Sequence, residues 1–305
     1  KKLIKMRVVT GWCSTLLHSE RILTRDLVYR GSLSVQKVTA LVASLVLAPA
    51  ILISTPVSAA LDWDTALSGK HRSEKNAARD VSRHPRETLE FFGLEETMTV
   101  VELSPGGGWY TEVLAPLLRE NGSYYAAHNS PNGGSYSRRS LGSYLKKLGE
   151  EDDVYGAVTV TKLGPAEAVV IAPAATADMV LAFRNVHSWM RADTLANTLL
   201  VAYDALKPGG VFGVVQHRAT DGRDPERMKA TGYVSEDYII AAARSVGFEL
   251  DARSDVNANA KDTGDYADGV WELPPSLRTA DENREARMAV GESDRMTLKF
   301  VKPGS

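Results

Sequence analysis

The chain has 305 residues, 44% of them apolar and 24% charged, the balance of a globular protein and not of a fibrous or disordered one. Its net charge of −2 is unevenly spread: residues 1–60 carry 8 Lys/Arg and 2 Asp/Glu, which leaves 28 bases against 36 acids, a net of −8, in the remainder. A body that acidic repels a phosphate backbone, so no nucleic-acid partner is expected.

The first feature along the chain is VTALVASLVLAPAILISTPVSAAL, residues 38–61, which contains no charged side chain. Arg30 and Lys37 precede it, and the small residues VSAA close it. A basic flank, an apolar core and an A-x-A-like end are the layout of an export signal. The run is also long enough to span about 30 Å of hydrocarbon, but Pro49 and Pro56 favour cleavage near Ala59/Ala60 over retention as an anchor. The expectation is a leader over 1–60 that is no part of the fold, and a periplasmic or secreted body with no stable membrane span after cleavage. An N-terminally membrane-anchored form is the alternative. Cys13, the only cysteine, falls in the leader, so the body has no disulfide and no thiolate chemistry.

Residues 61–97 are polar and helical in character and predict an N-terminal helical cap on a domain over 98–305. In HPRETLEFFGL, Leu89, Phe92 and Leu94 lie near helical spacing and Gly93 is a stop. MTVVEL predicts a short buried strand. GWYTEVLAPLLREN predicts a helix with Val113, Leu114, Leu117 and Leu118 on one face, ending at Asn121-Gly122. GSYYAAHN predicts a second strand, SPNGGSYS a loop, RRSLGSYLKKLGE a polar helix, AVTVTKL a third strand, and residues 179–183 a fourth. ADTLANTLLVAYDAL predicts a helix closed by KPGG, and VFGVVQHRA a fifth strand. SEDYIIAAARSVGF predicts a helix between the N-cap Ser235 and the stop Gly247, and ELDARSDV and MTLKFVKP the last two strands. Residues 255–295 are polar, and NANAKDTGDYADGVWELPPSLR within them reads as an irregular insertion before the last strand. Strands alternating with helices predict one α/β domain built on a doubly wound, mostly parallel, seven-stranded sheet.

Ligands of such sheets gather beyond the carboxyl ends of the strands, where the chain places Ser-Pro-Gly-Gly-Gly after Leu103. Glycine lets the backbone approach a ligand and turn sharply into a helix whose first amides face it. A dinucleotide loop requires G-x-G-x-x-G; Gly106 and Gly108 fit, but Thr111 occupies the third position, which disfavours a nicotinamide enzyme. The other pattern is an acid followed by G-x-G-x-G. Glu102, Ser104, Gly106 and Gly108 fit it with the first glycine replaced by Ser. A Gly-rich turn that binds nothing is the bland alternative.

The segments ELSPGGGWYTEVLAP, LAFRNVHSW and LKPGGVFGVVQHR, with the hairpin-like C-terminal strand, resemble the class I S-adenosylmethionine-dependent methyltransferases. More closely, they resemble the exported, signal-bearing predicted methyltransferases of proteobacteria, over residues 62–303. The resemblance implies a Rossmann-like methyltransferase fold with an antiparallel C-terminal strand, S-adenosylmethionine as cofactor and a small-molecule substrate. It implies cofactor contacts from Glu102, Ser104, Gly106, Gly107, Gly108, Trp109, Tyr110, Glu167 and Arg184. The family places an acid at the end of the second strand to grip the ribose; here His128 stands there, followed by Asn129, and this pair takes that place among the candidates.

Methyl transfer mainly requires alignment of the nucleophile, about 3 to 3.5 Å from the methyl, and removal of its proton. Asn185, His187 and His217 follow the fourth and fifth strands and are the catalytic candidates, either imidazole serving as base. Arg184 suits an anionic substrate. His71, His84, His128, His187 and His217 show no metal-ligand spacing, so no metal is expected. ELSPGGG is not the G-x-S-x-G of a serine hydrolase. Export conflicts with a cofactor made in the cytosol, so an exported, non-catalytic binder that reuses the pocket is the alternative function.

Overall fold

The computed structural model describes residues 60–164 and 169–304; the leader up to Ala59, with Cys13, and the candidate Glu167 lie outside these residues. The chain begins with α1 (Trp63–Ser68), α2 (Glu74–Ala77), α3 (Asp80–Arg83) and α4 (Pro85–Phe92). There follow β1 (Thr99–Leu103), α5 (Thr111–Leu118), β2 (Ser123–Asn129), α6 (Gly134–Glu150), α7 (Asp152–Tyr155) and β3 (Thr159–Leu163). Then come β4 (Ala177–Phe183), α8 (Val186–Arg191), α9 (Leu195–Ala205), β5 (Leu206–Ala219), α10 (Pro225–Thr231), β6 (Val234–Ser235) and α11 (Glu236–Ser245). The chain closes with β7 (Glu249–Ser254), a 3-10 turn (Gly269–Glu272), α12 (Asp281–Val290) and β8 (Arg295–Val301).

The strands form one sheet in the order β3-β2-β1-β4-β5-β8-β7, and the two-residue β6 pairs beside β5. Every pairing is parallel except those of β8, which runs antiparallel between β5 and β7. The doubly wound sheet and its single antiparallel strand are those expected from the sequence, with β6 as an addition. The strand order reverses between β1 and β4, so the crevice for a ligand opens at the carboxyl ends of those two strands.

Alternation along the strands sends side chains to two covered faces. Val101, Leu103, Val180 and Ala182 pack with Leu199 and Ala202 of α9 and Ile239 and Ala243 of α11. Val100, Met179 and Leu181 pack with Leu89 and Phe92 of α4 and Val113, Leu114 and Leu117 of α5. Burial on both faces explains why β1 and β4 read as continuous apolar runs. Each Leu or Phe so buried contributes roughly 1.5–3 kcal/mol.

Gly93 adopts φ 85° and ends α4 as its position after Phe92 predicted. α5 stops at Leu118, before Asn121-Gly122. Pro116 lies inside that helix and has no N–H for the carbonyl of Glu112. His71 takes up this carbonyl through Nε2 at 2.8 Å, which fastens the N-terminal helices to the domain. α6 begins at Gly134, within the stretch expected as a loop, and its anchor is the buried Tyr144. KPGG belongs to β5, where the Gly209 N–H donates to the Lys302 carbonyl at 2.8 Å. α12 lies beyond the stretch read as irregular and matches no predicted element; none of its residues is buried.

Candidate functional site

The loop after β1 is shaped by three left-handed residues. Ser104, in the place of the pattern's first glycine, has φ 53°, and Gly106 and Gly108 have φ 61° and 76°. A Cβ on Gly106 or Gly107 would meet no atom within 4 Å, so both present bare backbone to open space. A Cβ on Gly108 would meet Tyr144 Cε2 at 3.0 Å, so the third glycine serves packing against α6.

The back of the loop is braced. Asn129 N–H donates to His128 Nδ1 at 2.7 Å, so His128 Nε2 carries the hydrogen and donates to the Gly106 carbonyl at 3.0 Å. Burial lowers the His128 pKa and keeps it neutral. Lys147 of α6 donates to the carbonyls of Gly107 and Gly108 at 3.4 and 3.3 Å and pairs with Glu112. Both nitrogens of His128 are therefore occupied, Nε2 on the loop and Nδ1 on the end of β2, and its side chain lines neither cavity described below. Of His128 and Asn129 at the end of β2, only Asn129 lines a cavity.

Ser104 Oγ accepts a long hydrogen bond, 3.3 Å, from Trp189 Nε1. Ser104→Gly relieves about 1 kcal/mol of left-handed strain and loses a bond contributing about as much, so stability should change by less than about 1 kcal/mol. Ser104→Val should cost about 2 kcal/mol or more, because a branched side chain resists φ above zero. Urea midpoints of the two variants check this; a large loss in Ser104→Gly would mean that the hydroxyl, and not the backbone, shapes the turn.

Two cavities flank the loop and share Ser104, Gly106 and Asn185. The first, about 350 Å³, lies beyond the ends of β2 and β3, against Asn129, Leu163, Gly164 and Tyr136. The second, about 400 Å³, lies beyond β4 and β5, against Glu102, Gly107, Arg184, His187 and His217. Its floor includes Tyr110 stacked on Phe183 with ring centroids 3.5 Å apart. Arg79 and Arg83 of the N-terminal cap, and Trp271 and Ser293 of the segment before β8, complete it. Asn185 ties the rim together: its Nδ2 donates to the carbonyls of Leu103 and Ser104 at 3.2 and 3.1 Å.

The titratable groups of the second cavity are strongly perturbed. Burial pushes the Glu102 carboxyl up to about 7, against the hydrogen bond that Tyr124 Oη donates to Oε2 at 2.5 Å. Burial, then the charge of Arg191, lowers His187 to about 4, and His217 is held well below its usual value chiefly by burial. Both imidazoles are neutral at pH 7. Gln216 fixes the tautomer of His187. Its Oε1 accepts from Val186 N–H at 3.2 Å and its Nε2 donates to the Gly232 carbonyl at 2.8 Å. The same Nε2 must therefore donate to His187 Nδ1 at 3.2 Å, so His187 Nε2 carries a hydrogen and cannot accept one. His217 Nδ1 lies 2.5 Å from Ser293 Oγ.

The structure thus places Glu102, Gly107, Trp109, Tyr110, Arg184, His187 and His217 on one cavity, Asn129 on the other, and Ser104, Gly106 and Asn185 on both. Arg79, Arg83, Trp271 and Ser293 were not singled out from the sequence. Only the i, i+4 spacing of the two arginines offered a signal for them. Among the described residues no group of His, Cys, Asp and Glu is placed to hold a metal ion, and no helix is long and apolar enough to cross a membrane.

No protein family and no curated protein matches the chain by sequence. Solved structures do match its shape. An S-adenosylmethionine-dependent methyltransferase from Aquifex aeolicus aligns with a TM-score of 0.50 at 17% identity, over 74% of this chain and 93% of its own. The [4+2]-cyclase SpnF aligns with a TM-score of 0.52 at 16% identity, over 77% of this chain and 84% of its own. The sheet, with its antiparallel C-terminal strand β8 inserted between β5 and β7, is the Rossmann-like methyltransferase fold. A methyltransferase and a cyclase share this shape, so the reaction must be argued from the site.

Proposed function

We propose that the protein transfers a methyl group from S-adenosylmethionine to a small-molecule acceptor, and that it does so as a member of the exported methyltransferase group. The carrying observation is the pair of cavities that meet at Ser104, Gly106 and Asn185, at the point where the strand order reverses. A two-substrate transfer needs such a pair of sites with one common rim. The residues fit the cofactor: Gly106 and Gly107 leave a cradle that any Cβ would fill, and Glu102 offers a carboxylate to a cation.

Asn129, Tyr136 and Leu163 would hold the nucleoside, and Glu102, Gly106 and Gly107 the amino-acid end. When bound, S-adenosylmethionine supplies an electrophilic methyl on a sulfonium. The chain's own residues orient the acceptor and take its proton. His217 fits the base, because Nδ1–H can donate to Ser293 Oγ while Nε2 stays free. His187, with hydrogen on Nε2, fits a donor that orients the acceptor. Leader cleavage near Ala59/Ala60 would deliver this body to the periplasm or beyond.

Calorimetric titration with S-adenosylmethionine and S-adenosylhomocysteine tests the reading. Micromolar binding of both, at about one per chain, is expected. A folded protein that binds neither would leave the non-catalytic binder as the better account.

A further inference from the structure

The wall of the second cavity carries an unbalanced charge. Glu292 is a single carboxylate shared by three guanidiniums. Arg79 Nε donates to its Oε1 at 2.6 Å, Arg83 Nε to its Oε2 at 3.2 Å, and Arg295 Nη2 to Oε2 at 2.8 Å. Arg184 is a fourth, and among the described residues no carboxylate lies within ion-pair distance of it. Arg83 is 2% exposed, and its Nη1, like the buried Nη2 of Arg79, has no hydrogen-bond partner. The neighbouring Arg72 is already engaged by Asp80 and Glu112. The other acid on the wall, Glu102, is held near 7 by burial, and His187 and His217 are neutral.

Buried guanidiniums without counter-charge are costly unless a ligand supplies it. Burial, then Arg184, pulls Arg83 down to about 8; burial, then Arg295, pulls Arg184 to about 10. Burial also raises Glu292, but Arg83, Arg295 and Arg79 outweigh it and hold the carboxyl near 2, so the one acid is fully used. The planar forks of arginine match carboxylate and phosphate oxygens two at a time.

We propose that the methyl acceptor is an anion, whose carboxylate or phosphate group docks on Arg184, Arg83 and Arg79. This rests on the methyltransferase reading above. The cofactor does not offset the excess as a whole: S-adenosylmethionine carries one carboxylate against an ammonium and a sulfonium, and so brings a net positive charge. One part of the remaining wall is apolar, with Tyr110 on Phe183, Val270, Trp271 and Pro274, and another is polar, with Asn185, His187, His217 and Ser293, which suits an acceptor with both an apolar face and polar groups.

The test titrates benzoate and inorganic phosphate into the full chain, with and without saturating S-adenosylhomocysteine, with uncharged benzamide as control. At least one of the two anions should bind in both conditions, and benzamide should not. Arg184→Gln and Arg79→Gln should each weaken anion binding about tenfold or more, with melting temperatures near wild type. If S-adenosylhomocysteine excludes both anions, the guanidiniums hold the cofactor's own carboxylate and the proposal is wrong, although methyl transfer stands. Absence of anion binding in a protein that binds S-adenosylhomocysteine also overturns it. Anion binding that Arg184→Gln abolishes, in a protein indifferent to S-adenosylhomocysteine, sinks the methyl-transfer reading and leaves the anion site standing.

Discussion

Replacing Glu102 with Gln is expected to stabilise the protein above neutral pH and to weaken its hold on a cationic ligand. The carboxyl is almost fully buried, and burial raises it from an ordinary 4.5 to about 7. Between those values the folded chain binds the proton and the unfolded chain does not. Stability therefore falls as pH rises from about 4.5 through 7, by about 3 kcal/mol at full effect. Glu102→Gln removes this slope, since Tyr124 Oη can still donate to the amide oxygen. Urea unfolding of the two proteins at a series of pH values checks it. The curves should coincide near pH 4 and separate toward pH 8, with the variant the more stable. Parallel curves would mean that the acid is not held protonated by its surroundings. The same variant should bind S-adenosylmethionine about tenfold or more weakly at pH 8, where the wild-type carboxylate is charged.

Gly107→Val should abolish cofactor binding without unfolding the sheet. Gly107 does not occupy the left-handed region, its Cβ position is open to 4 Å, and it faces the second cavity beside the shared rim. A branched side chain there fills the space that the ligand needs. The expected result is a loss of about a hundredfold or more in S-adenosylhomocysteine affinity, with a melting temperature within a few degrees of wild type. Gly108→Val is the contrast: φ 76° and Tyr144 at 3.0 Å make it a stability variant, and it should melt well below wild type. Undiminished affinity in Gly107→Val would remove the loop from the site.

The glycine loop was legible because its chemistry is local. An acid in a strand, then glycines before a helix, state a backbone shape without help from distant residues. Even the replacement of the first glycine by Ser104 was readable as a departure, and the chain accepts it by holding Ser104 at φ 53°. His128 was readable only as the missing acid. Its real contact, to the Gly106 carbonyl, joins β2 to the loop and leaves no mark in local sequence. The cationic wall was hidden for the same reason. Glu292 gathers Arg79 and Arg83 from about two hundred residues away in sequence, and no periodic pattern spans that distance. α12 escaped because its apolar residues are confined to its C-terminal half and none of its residues is buried.

A structure of the protein with S-adenosylhomocysteine tests the two-cavity arrangement most directly. The adenosine is expected against Asn129 and Leu163, the amino-acid end beside Gly106 and Gly107, and the sulfur at the Asn185 rim with its open side toward His217. Adenosine seated instead among Arg184, Arg83 and Trp271, or no bound ligand in a folded protein, would contradict it.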